Sequence, residues 1–166
     1  PSSTAQGNYY ILYFADYPNS ISETNENNNI NASSITVTSS SKDLSVVTSS
    51  ANPSTIAFGS TSSVSFAVLN QSYQATSTSL GFYLSTDSLW DASDTYLSFV
   101  STSSIGANSL YSSSSTVTIP SSTTPGNYFI LSYVDYTNSI VETNETNNVK
   151  ALPVAITTPV IDLVIQ

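Results

Sequence analysis

The sequence predicts an all-β protein, an immunoglobulin-like β-sandwich of seven antiparallel strands that is repeated in tandem. Short segments rich in aromatic and β-branched residues alternate with period two and are separated by Gly, Pro, Asn and Ser turns. No segment has the 3.6-residue period of a helix. Residues 1–47 repeat residues 120–166 at a constant displacement of 119, and 24 of the 47 aligned pairs are identical. Internal repetition of this length is typical of a tandem array.

The displacement predicts how the chain divides into domains. Residues 1–42 are expected to be the last two strands of a preceding repeat, and residues 43–161 one complete repeat. Residues 162–166 would begin the first strand of the next repeat. Two strands alone are marginally stable in water. The missing strands must therefore come either from an upstream part of a longer chain or from a neighbouring molecule.

The strands follow from the period-two pattern. In the partial repeat, residues 8–15 and 32–38 have strand signatures. In the complete repeat the predicted strands are residues 44–48 (continued by 55–58 after a bend at Pro53), 63–70, 78–85, 95–100, 111–119, 127–134 and 149–157. The strand at 63–70 places Val64, Phe66 and Val68 on one face. The strand at 127–134 is the most apolar, so we expect it at the centre of a sheet.

Composition excludes several classes of function. The chain has 11 acidic residues and 2 lysines, with no Arg or His, and a net charge of -9. This charge excludes nucleic-acid binding, and it disfavours anionic membranes. Apolar runs fall short of the roughly 20 residues that span a bilayer, so we expect no membrane-spanning segment. Without Cys there is no disulfide framework or thiolate zinc site.

Polar but uncharged residues dominate the surface. The chain contains 36 Ser, 21 Thr and 15 Asn. This composition is typical of a secreted or surface-displayed microbial protein, although a disordered linker has a similar bias. The 11 Tyr and 6 Phe argue against disorder. We therefore expect an extracellular or cell-surface location in a prokaryote.

Four motifs, in order, resemble the CARDB family of bacterial and archaeal cell-adhesion-related domains. They are GFYLSTDSLWDASDTYL at 81–97, TVTIPSSTTPGNYFILSYVD at 116–135, VETNETNN at 141–148 and DL at 162–163. The resemblance covers residues 43–161, and residues 1–42 match its C-terminal part. It implies an immunoglobulin-like sandwich, tandem arrangement in large extracellular proteins, and a non-catalytic role in adhesion or spacing.

Acidic residues are concentrated in two predicted loops. The topology should bring the 135–149 loop, DYTNSIVETNETNNV, to the pole where the domain begins, and the 86–94 loop, TDSLWDASD, to the opposite pole. The acids of the first pole are Asp43, Asp135, Glu142 and Glu145, and those of the second are Asp87, Asp91 and Asp94. Calcium takes six to eight such oxygen ligands, so the pattern predicts calcium sites at the junctions between repeats. The alternative is that these acids cap turns and contact water.

Glycans are a second predicted modification. Sequons of the N-x-S/T type occur at Asn31, Asn70 and Asn144. Because Asn, Ser and Thr are abundant, some matches are expected by chance. The Ser clusters at 101–104 and 112–115 are either O-glycan carriers or plain exposed strand faces.

The sequence does not favour an enzyme. Without His or Cys, a nucleophilic Ser would need Lys42 or Lys150, and neither lysine recurs at the 119-residue displacement. Glu142 and Glu145 could form a glycosidase pair, but they lie on a loop that is copied in the neighbouring repeat. A copied loop is more typical of structure than of an active site.

Two functions remain. The first is a structural unit of an extracellular stalk or filament, whose partners are neighbouring repeats of the same chain or identical chains in a fibre; Pro159 would stiffen the connection between repeats. The alternative is a carbohydrate- or protein-binding adhesion module. That module would use exposed aromatic residues, for which the candidates are Trp90, Tyr73, Tyr96 and Tyr111.

Overall fold

The computed structural model describes residues 4–18, 20–38 and 41–160. These residues form strands, turns and loops, which confirms the all-β class. None of them belongs to a helix long and apolar enough to cross a membrane. Contacts divide the chain into two compact units, Pro1–Ser40 and Ser41–Gln166. The start of a further repeat, predicted at residues 162–166, lies outside the described residues.

The first unit is a single antiparallel hairpin. Strand β1 is Gly7–Phe14 and strand β2 is Ile30–Val37. Their register runs from Gly7 opposite Val37 to Phe14 opposite Ile30. The large apolar side chains of both strands are exposed, so no described part of this unit covers either face of the hairpin.

The second unit contains eight described strands in two sheets. The strands are β3 (Leu44–Asn52), β4 (Thr55–Ala57), β5 (Thr61–Asn70), β6 (Ser79–Ser85), β7 (Thr95–Ser101), β8 (Ser109–Thr118), β9 (Gly126–Val134) and β10 (Val149–Thr157). One sheet has the order β4-β10-β9-β6-β7 and the other has the order β3-β5-β8. Strand β9 lies at the centre of the five-stranded sheet, as its apolar sequence predicted.

The first predicted strand divides into two elements that join different sheets. Strand β3 pairs with β5, whereas β4 runs parallel to β10. The break falls at Pro53, which has no N–H to donate to a ladder, and the Ser62 hydroxyl donates to the Pro53 carbonyl over 2.7 Å. The second unit therefore has eight described strands where the sequence predicted seven, because the chain crosses from one sheet to the other at this break.

Both sheets contribute side chains to one hydrophobic core, so they pack face to face. Val64 and Phe66 on β5 belong to the three-stranded sheet, and Phe82 on β6 belongs to the five-stranded sheet. The rings of Phe66 and Phe82 meet edge to face with centroids 5.8 Å apart. The hydroxyls of Ser49 and Ser132, 3.0 Å apart, add a polar link between the sheets. The core thus fixes the ends of β9 and β10, between which the acidic loop extends.

Replacing Phe82 with Ala should lower the free energy of unfolding by about 3–5 kcal/mol, because it removes a fully buried ring and leaves a cavity. The matched control is Phe99→Ala, which removes the same ring from an exposed position on β7. Urea denaturation of both variants measures the difference. Equal losses in the two variants would contradict the placement of Phe82 in the core.

Candidate functional site

The 135–149 loop starts with a buried carboxylate that shapes its first turn. Asp135 has a backbone φ of 50°, a left-handed conformation that Asp tolerates better than most residues. Its side chain accepts hydrogen bonds from the Ser139 N–H at 3.2 Å, the Ser139 hydroxyl at 2.9 Å and the Ile140 N–H at 2.7 Å. These bonds close the turn after β9 and direct the chain back over the end of the unit.

Glu142 joins this loop to the start of the unit. One oxygen of its buried carboxylate accepts a hydrogen bond from the N–H of Leu44, the first residue of β3. The other oxygen accepts one from the Asn148 amide at 3.2 Å. Glu145 supports the same turn by accepting from the Glu142 N–H at 2.9 Å. The pair Glu142 and Glu145 therefore organises the loop from within.

Two further contacts lie between the loop and the residues just before β3. The Asn147 amide donates to the Asp43 carboxylate over 3.0 Å, and the Thr143 N–H donates to the Lys42 carbonyl over 2.9 Å. The topology predicted from sequence is thus observed here. The structure brings together, at the pole where this unit begins, the residues Asp43, Asp135, Glu142 and Glu145.

Burial dominates the electrostatics of Glu142. The pKa of this carboxyl is raised to about 7 from an ordinary value of 4.5, and loss of hydration is the main cause. The negative charges of Glu145 and Asp135 contribute in the same direction, while hydrogen bonds from the Leu44 N–H and the Asn148 amide oppose the shift. A cation beside Glu142 would instead lower the pKa of its carboxyl, because a cation favours the ionised carboxylate.

Two amide oxygens in the loop are buried without a hydrogen-bond partner, the Oδ1 atoms of Asn147 and Asn148. A buried oxygen that lacks a partner destabilises the folded state. Within the described part of the chain, no three acidic side chains are grouped so that they alone could hold a metal ion. Carboxylate and amide oxygens are ligands that calcium takes, and a calcium site at this loop stays a prediction.

The aspartates of the 86–94 loop each bond within their own loop. Asp87 accepts from the Leu89 N–H at 2.8 Å, and Asp94 accepts from the Asp91 N–H at 2.9 Å. Asp91 accepts from the hydroxyl and the N–H of Ser93, and these two bonds lower the pKa of its carboxyl. The arrangement is that of turn capping. A metal site formed by Asp87, Asp91 and Asp94 stays a prediction.

The tip of the 86–94 loop is not at the pole that the sequence predicted. Asp94 lies beside residues 120–124 at the far end of the unit. Trp90, in contrast, packs against Tyr133 near the opposite end of β9, with ring centroids 5.1 Å apart. The loop therefore folds back along the outer side of the sheet, so that Trp90 lies beside the end of β9 from which the 135–149 loop starts.

Only some of the predicted sequons present their Asn to solvent. Asn31 and Asn144 are exposed. Asn70 is fully buried, and its amide nitrogen donates to the carbonyls of Gln74, Ile105 and Gly106 at 2.9 to 3.0 Å. The fold therefore gives Asn70 a structural role, and an attached glycan would break these bonds. Glycans at Asn31 and Asn144 stay a prediction.

A continuous aromatic surface covers the outer side of β6, β7 and β9. It consists of Tyr83, Trp90, Tyr96, Phe99, Tyr133 and Tyr136, which form ring pairs with centroids 5.1 to 6.3 Å apart. The sequence identified Trp90 and Tyr96, whereas Tyr111 instead contacts Phe66 of the core and Tyr73 is exposed. The other four rings were missed. For Tyr83, Phe99 and Tyr133 the signal was the period-two positions on the outward faces of the strands, whereas Tyr136 lies in the turn after β9 and has no such period.

Gly81 is required beneath this surface. A Cβ atom at this position would lie 2.8 Å from Cγ of Tyr136 and 3.0 Å from Cε2 of Tyr83. The absence of a side chain lets the Tyr136 ring lie directly on β6. Close packing of a ring on a strand glycine is a known way of stabilising a sheet.

The hairpin of the first unit reproduces the geometry of β9, β10 and their loop. Gly7 opposite Val37 corresponds, at the 119-residue displacement, to Gly126 opposite Ile156. Asp16 also has φ 50° and accepts from the Ser20 N–H at 3.1 Å, the Ser20 hydroxyl at 2.8 Å and the Ile21 N–H at 2.7 Å. The Glu23 N–H donates to Glu26 over 2.8 Å, as the Glu142 N–H does to Glu145. The sequence repeat is therefore also a structural repeat of this segment.

The fold is an all-β domain of two packed, mainly antiparallel sheets, with an acidic loop at the pole where the second unit begins. Within that class, the amino-acid sequence matches the CARDB family over residues 41–152. The match spans more than half of the chain, and the chain belongs to the CARDB family. Among curated proteins, no sequence matches this chain.

Solved structures share the fold. A crystal structure of a CARDB domain from Pyrococcus furiosus, in complex with di-metal ions, is 22% identical with a TM-score of 0.55 and covers 74% of this chain and 100% of that one. A domain from Methanosarcina acetivorans, of a protein named as a cell surface protein, is 19% identical with a TM-score of 0.50, covering 70% and 93%. A Listeria innocua β-glucosidase in complex with glucose is 17% identical with a TM-score of 0.50, covering 72% of this chain but 17% of the enzyme. Identities this low show the fold alone.

Without added metal, the second unit should lose stability as the pH rises from about 4.5 to about 7. The folded state holds a proton on Glu142 in this range that the unfolded state has released, so ionisation favours unfolding. Urea denaturation in EDTA at pH 5 and pH 8 measures the effect. Glu142→Gln should remove this part of the pH dependence, whereas Glu23→Gln, at the exposed corresponding position of the first unit, should retain it. An unchanged pH dependence in Glu142→Gln would count against the assignment.

Proposed function

We propose that the chain is part of an extracellular or cell-surface array of immunoglobulin-like CARDB repeats, each 119 residues long, that acts as a structural stalk or spacing unit in adhesion. Family membership supports an adhesion-type module. The Methanosarcina acetivorans domain, taken from a protein named as a cell surface protein, is consistent with the same location. The role needs no catalysis, and we propose none.

The observation that carries this proposal is the exposure of the first hairpin. Ile11 is 44% exposed and its counterpart Ile130 is 0% exposed; Ile35 is 40% exposed and its counterpart Val154 is 5% exposed. Burial of apolar area is the main favourable term in folding, at about 25 cal/mol per Å². A hairpin with the sequence and register of β9 and β10 is therefore suited to complete the core of another repeat.

The strands that complete the hairpin would have the pattern of residues 43–119. They come either from a preceding repeat in the same chain or from a neighbouring molecule in a fibre. In the first case the array is a covalent rod of successive repeats. In the second case each chain would donate a hairpin to the next, and assembly would depend on concentration.

We expect that adding a second copy of residues 43–119 before Pro1 will protect the amide hydrogens of β1 and β2 as strongly as those of β9 and β10. The added strands would cover the apolar face of the hairpin. The hydrogen bonds between β1 and β2 would then open only when the whole repeat unfolds. Hydrogen exchange followed by mass spectrometry measures the protection of each segment.

The control is the same extended chain with Phe82→Ala in the added copy, which should weaken the protection of β1 and β2 selectively. Rapid exchange of β1 and β2 in both extended chains would contradict the proposal. In the original chain, protection that rises with protein concentration would indicate completion by a neighbouring molecule.

Calcium at the 135–149 loop would make the junctions between repeats rigid. Its ligands in this unit would be the carboxylates of Asp43, Glu142 and Glu145, with amide oxygens of Asn147 and Asn148. The two partnerless buried oxygens and the donor chemistry support the proposal. The Pyrococcus furiosus domain was solved in complex with di-metal ions, which supports testing a metal ion as a ligand here.

We predict that calcium chloride at pH 8 raises the thermal midpoint of the second unit by roughly 5 °C over EDTA, because a ligand that binds only the folded state stabilises it. Asp43→Asn should reduce this shift. Glu26→Gln, which removes a charge from the first unit, should leave it unchanged. Differential scanning calorimetry measures the midpoints, and identical midpoints in calcium and EDTA would exclude the site.

A carbohydrate- or protein-binding adhesion module is the alternative function. The aromatic surface favours it, because Trp90, Tyr96 and Phe99 are exposed on one side of the sheet. Glycans attached at the exposed residues Asn31 and Asn144 would be compatible with either function.

A further inference from the structure

A cavity of about 420 Å³ opens where the aromatic surface meets the 135–149 loop. Trp90 and Tyr133 form its aromatic walls, with an angle of 60° between their ring planes. Leu89 and Val149 add apolar groups, and Glu145 adds a carboxylate. Trp90 is 41% exposed, so much of its surface is open to a ligand. Concave sites with apolar walls and a few polar groups are typical ligand sites.

The electrostatic field in this cavity is negative. Glu145 lines the cavity, and the buried Glu142 lies next to it, with its N–H donating to the Glu145 carboxylate over 2.9 Å. The chain has only two lysines, and neither contributes to the cavity. A negatively charged ligand is therefore excluded by repulsion.

We propose that this cavity binds an alkylated ammonium cation, such as a quaternary ammonium group. The faces of Trp and Tyr rings attract cations, and Trp does so best. The carboxylate of Glu145 supplies the opposite charge, and the methyl groups of the ligand match the apolar side chains of Leu89 and Val149. The site lies wholly within the second unit, so it does not depend on the tandem arrangement.

Other ligand classes fit less well. Inorganic cations are strongly hydrated and prefer oxygen ligands, whereas two walls of this cavity are aromatic rings. A neutral sugar could stack on Trp90 but would gain nothing from the negative field. A quaternary ammonium group has a diffuse charge and no hydrogen to donate, so shape and ring faces decide its binding.

Trp90 is the only tryptophan in the chain, so its fluorescence reports directly on the cavity. The whole chain in EDTA is titrated with tetramethylammonium chloride and with choline chloride, at an ionic strength held constant with sodium chloride. The neutral isostere 3,3-dimethylbutan-1-ol and glucose are titrated in parallel. We expect a saturable change with both cations in the millimolar range, and none with the isostere or glucose.

Glu145→Gln should weaken cation binding at least about fivefold, because it removes the nearest opposite charge. The matched control is Glu26→Gln, which changes the same residue of the repeated loop in the hairpin, where no Trp is present. It should bind as the original chain does. Tyr133→Leu keeps the fluorescent reporter and should also weaken binding, and the thermal midpoint of each variant shows that it is folded.

Three results would overturn the proposal. The first is no saturable response to either cation at 100 mM, on the order of the weakest affinity such a site would have. The second is an equal response to the neutral isostere or a response to glucose alone, which would show that charge has no role. The third is equal weakening by Glu145→Gln and Glu26→Gln, which would show an effect of net charge and not of the cavity.

Discussion

The second unit depends on burial of the apolar inner face of the hairpin formed by β9 and β10. Strand β9 is the centre of the larger sheet, and core residues such as Ile130, Val134 and Ile156 lie on β9 and β10. The corresponding hairpin in the first unit has the same register but leaves Ile11 exposed. The hairpin and its loop thus have the same local geometry in both units. In the second unit the remaining strands bury its apolar face and also pair with its outer edges, β6 with β9 and β4 with β10, whereas a two-stranded hairpin alone is marginally stable in water.

In the acidic loop, some hydrogen bonds form within the loop itself and others require the rest of the domain. The bonds made by Asp135 recur at Asp16, and the bond from the Glu142 N–H to Glu145 recurs in the hairpin, so they need nothing outside the loop. Contacts to Leu44 and to the residues before it exist only where β3 is present. Burial of Glu142, and the raised pKa that follows from it, is therefore a consequence of completing the domain. The acidic residues that recur in both units shape the loop. Completion of the domain then raises the pKa of one of them, Glu142.

Most of the strands could be predicted from sequence because a half-buried strand has a period of two, and Phe66 and Phe82 are clear examples. The convergence of Asp43 and Glu142 followed from strand directions alone. The division between β3 and β4 could not be predicted, because it depends on which sheet offers a free edge beside Pro53. The position of Trp90 could not be predicted either, since a loop residue has no period and its ring packs against Tyr133, which is distant in sequence. Tertiary packing decides such cases, and it involves residues that are distant in sequence.

The chain has few charged residues and most of them are acidic, so the position of each carboxylate strongly affects the local electrostatic field. Few lysines are present to neutralise the carboxylates at the pole where the second unit begins. The two sides of that pole differ in chemistry. On one side Glu142 and Asn148 offer oxygen atoms, which suit a small, strongly hydrated cation. On the other side Trp90 and Tyr133 offer ring faces, which suit a large, weakly hydrated one. Because Glu145 borders both, occupation of either side should weaken the other by repulsion between the two cations.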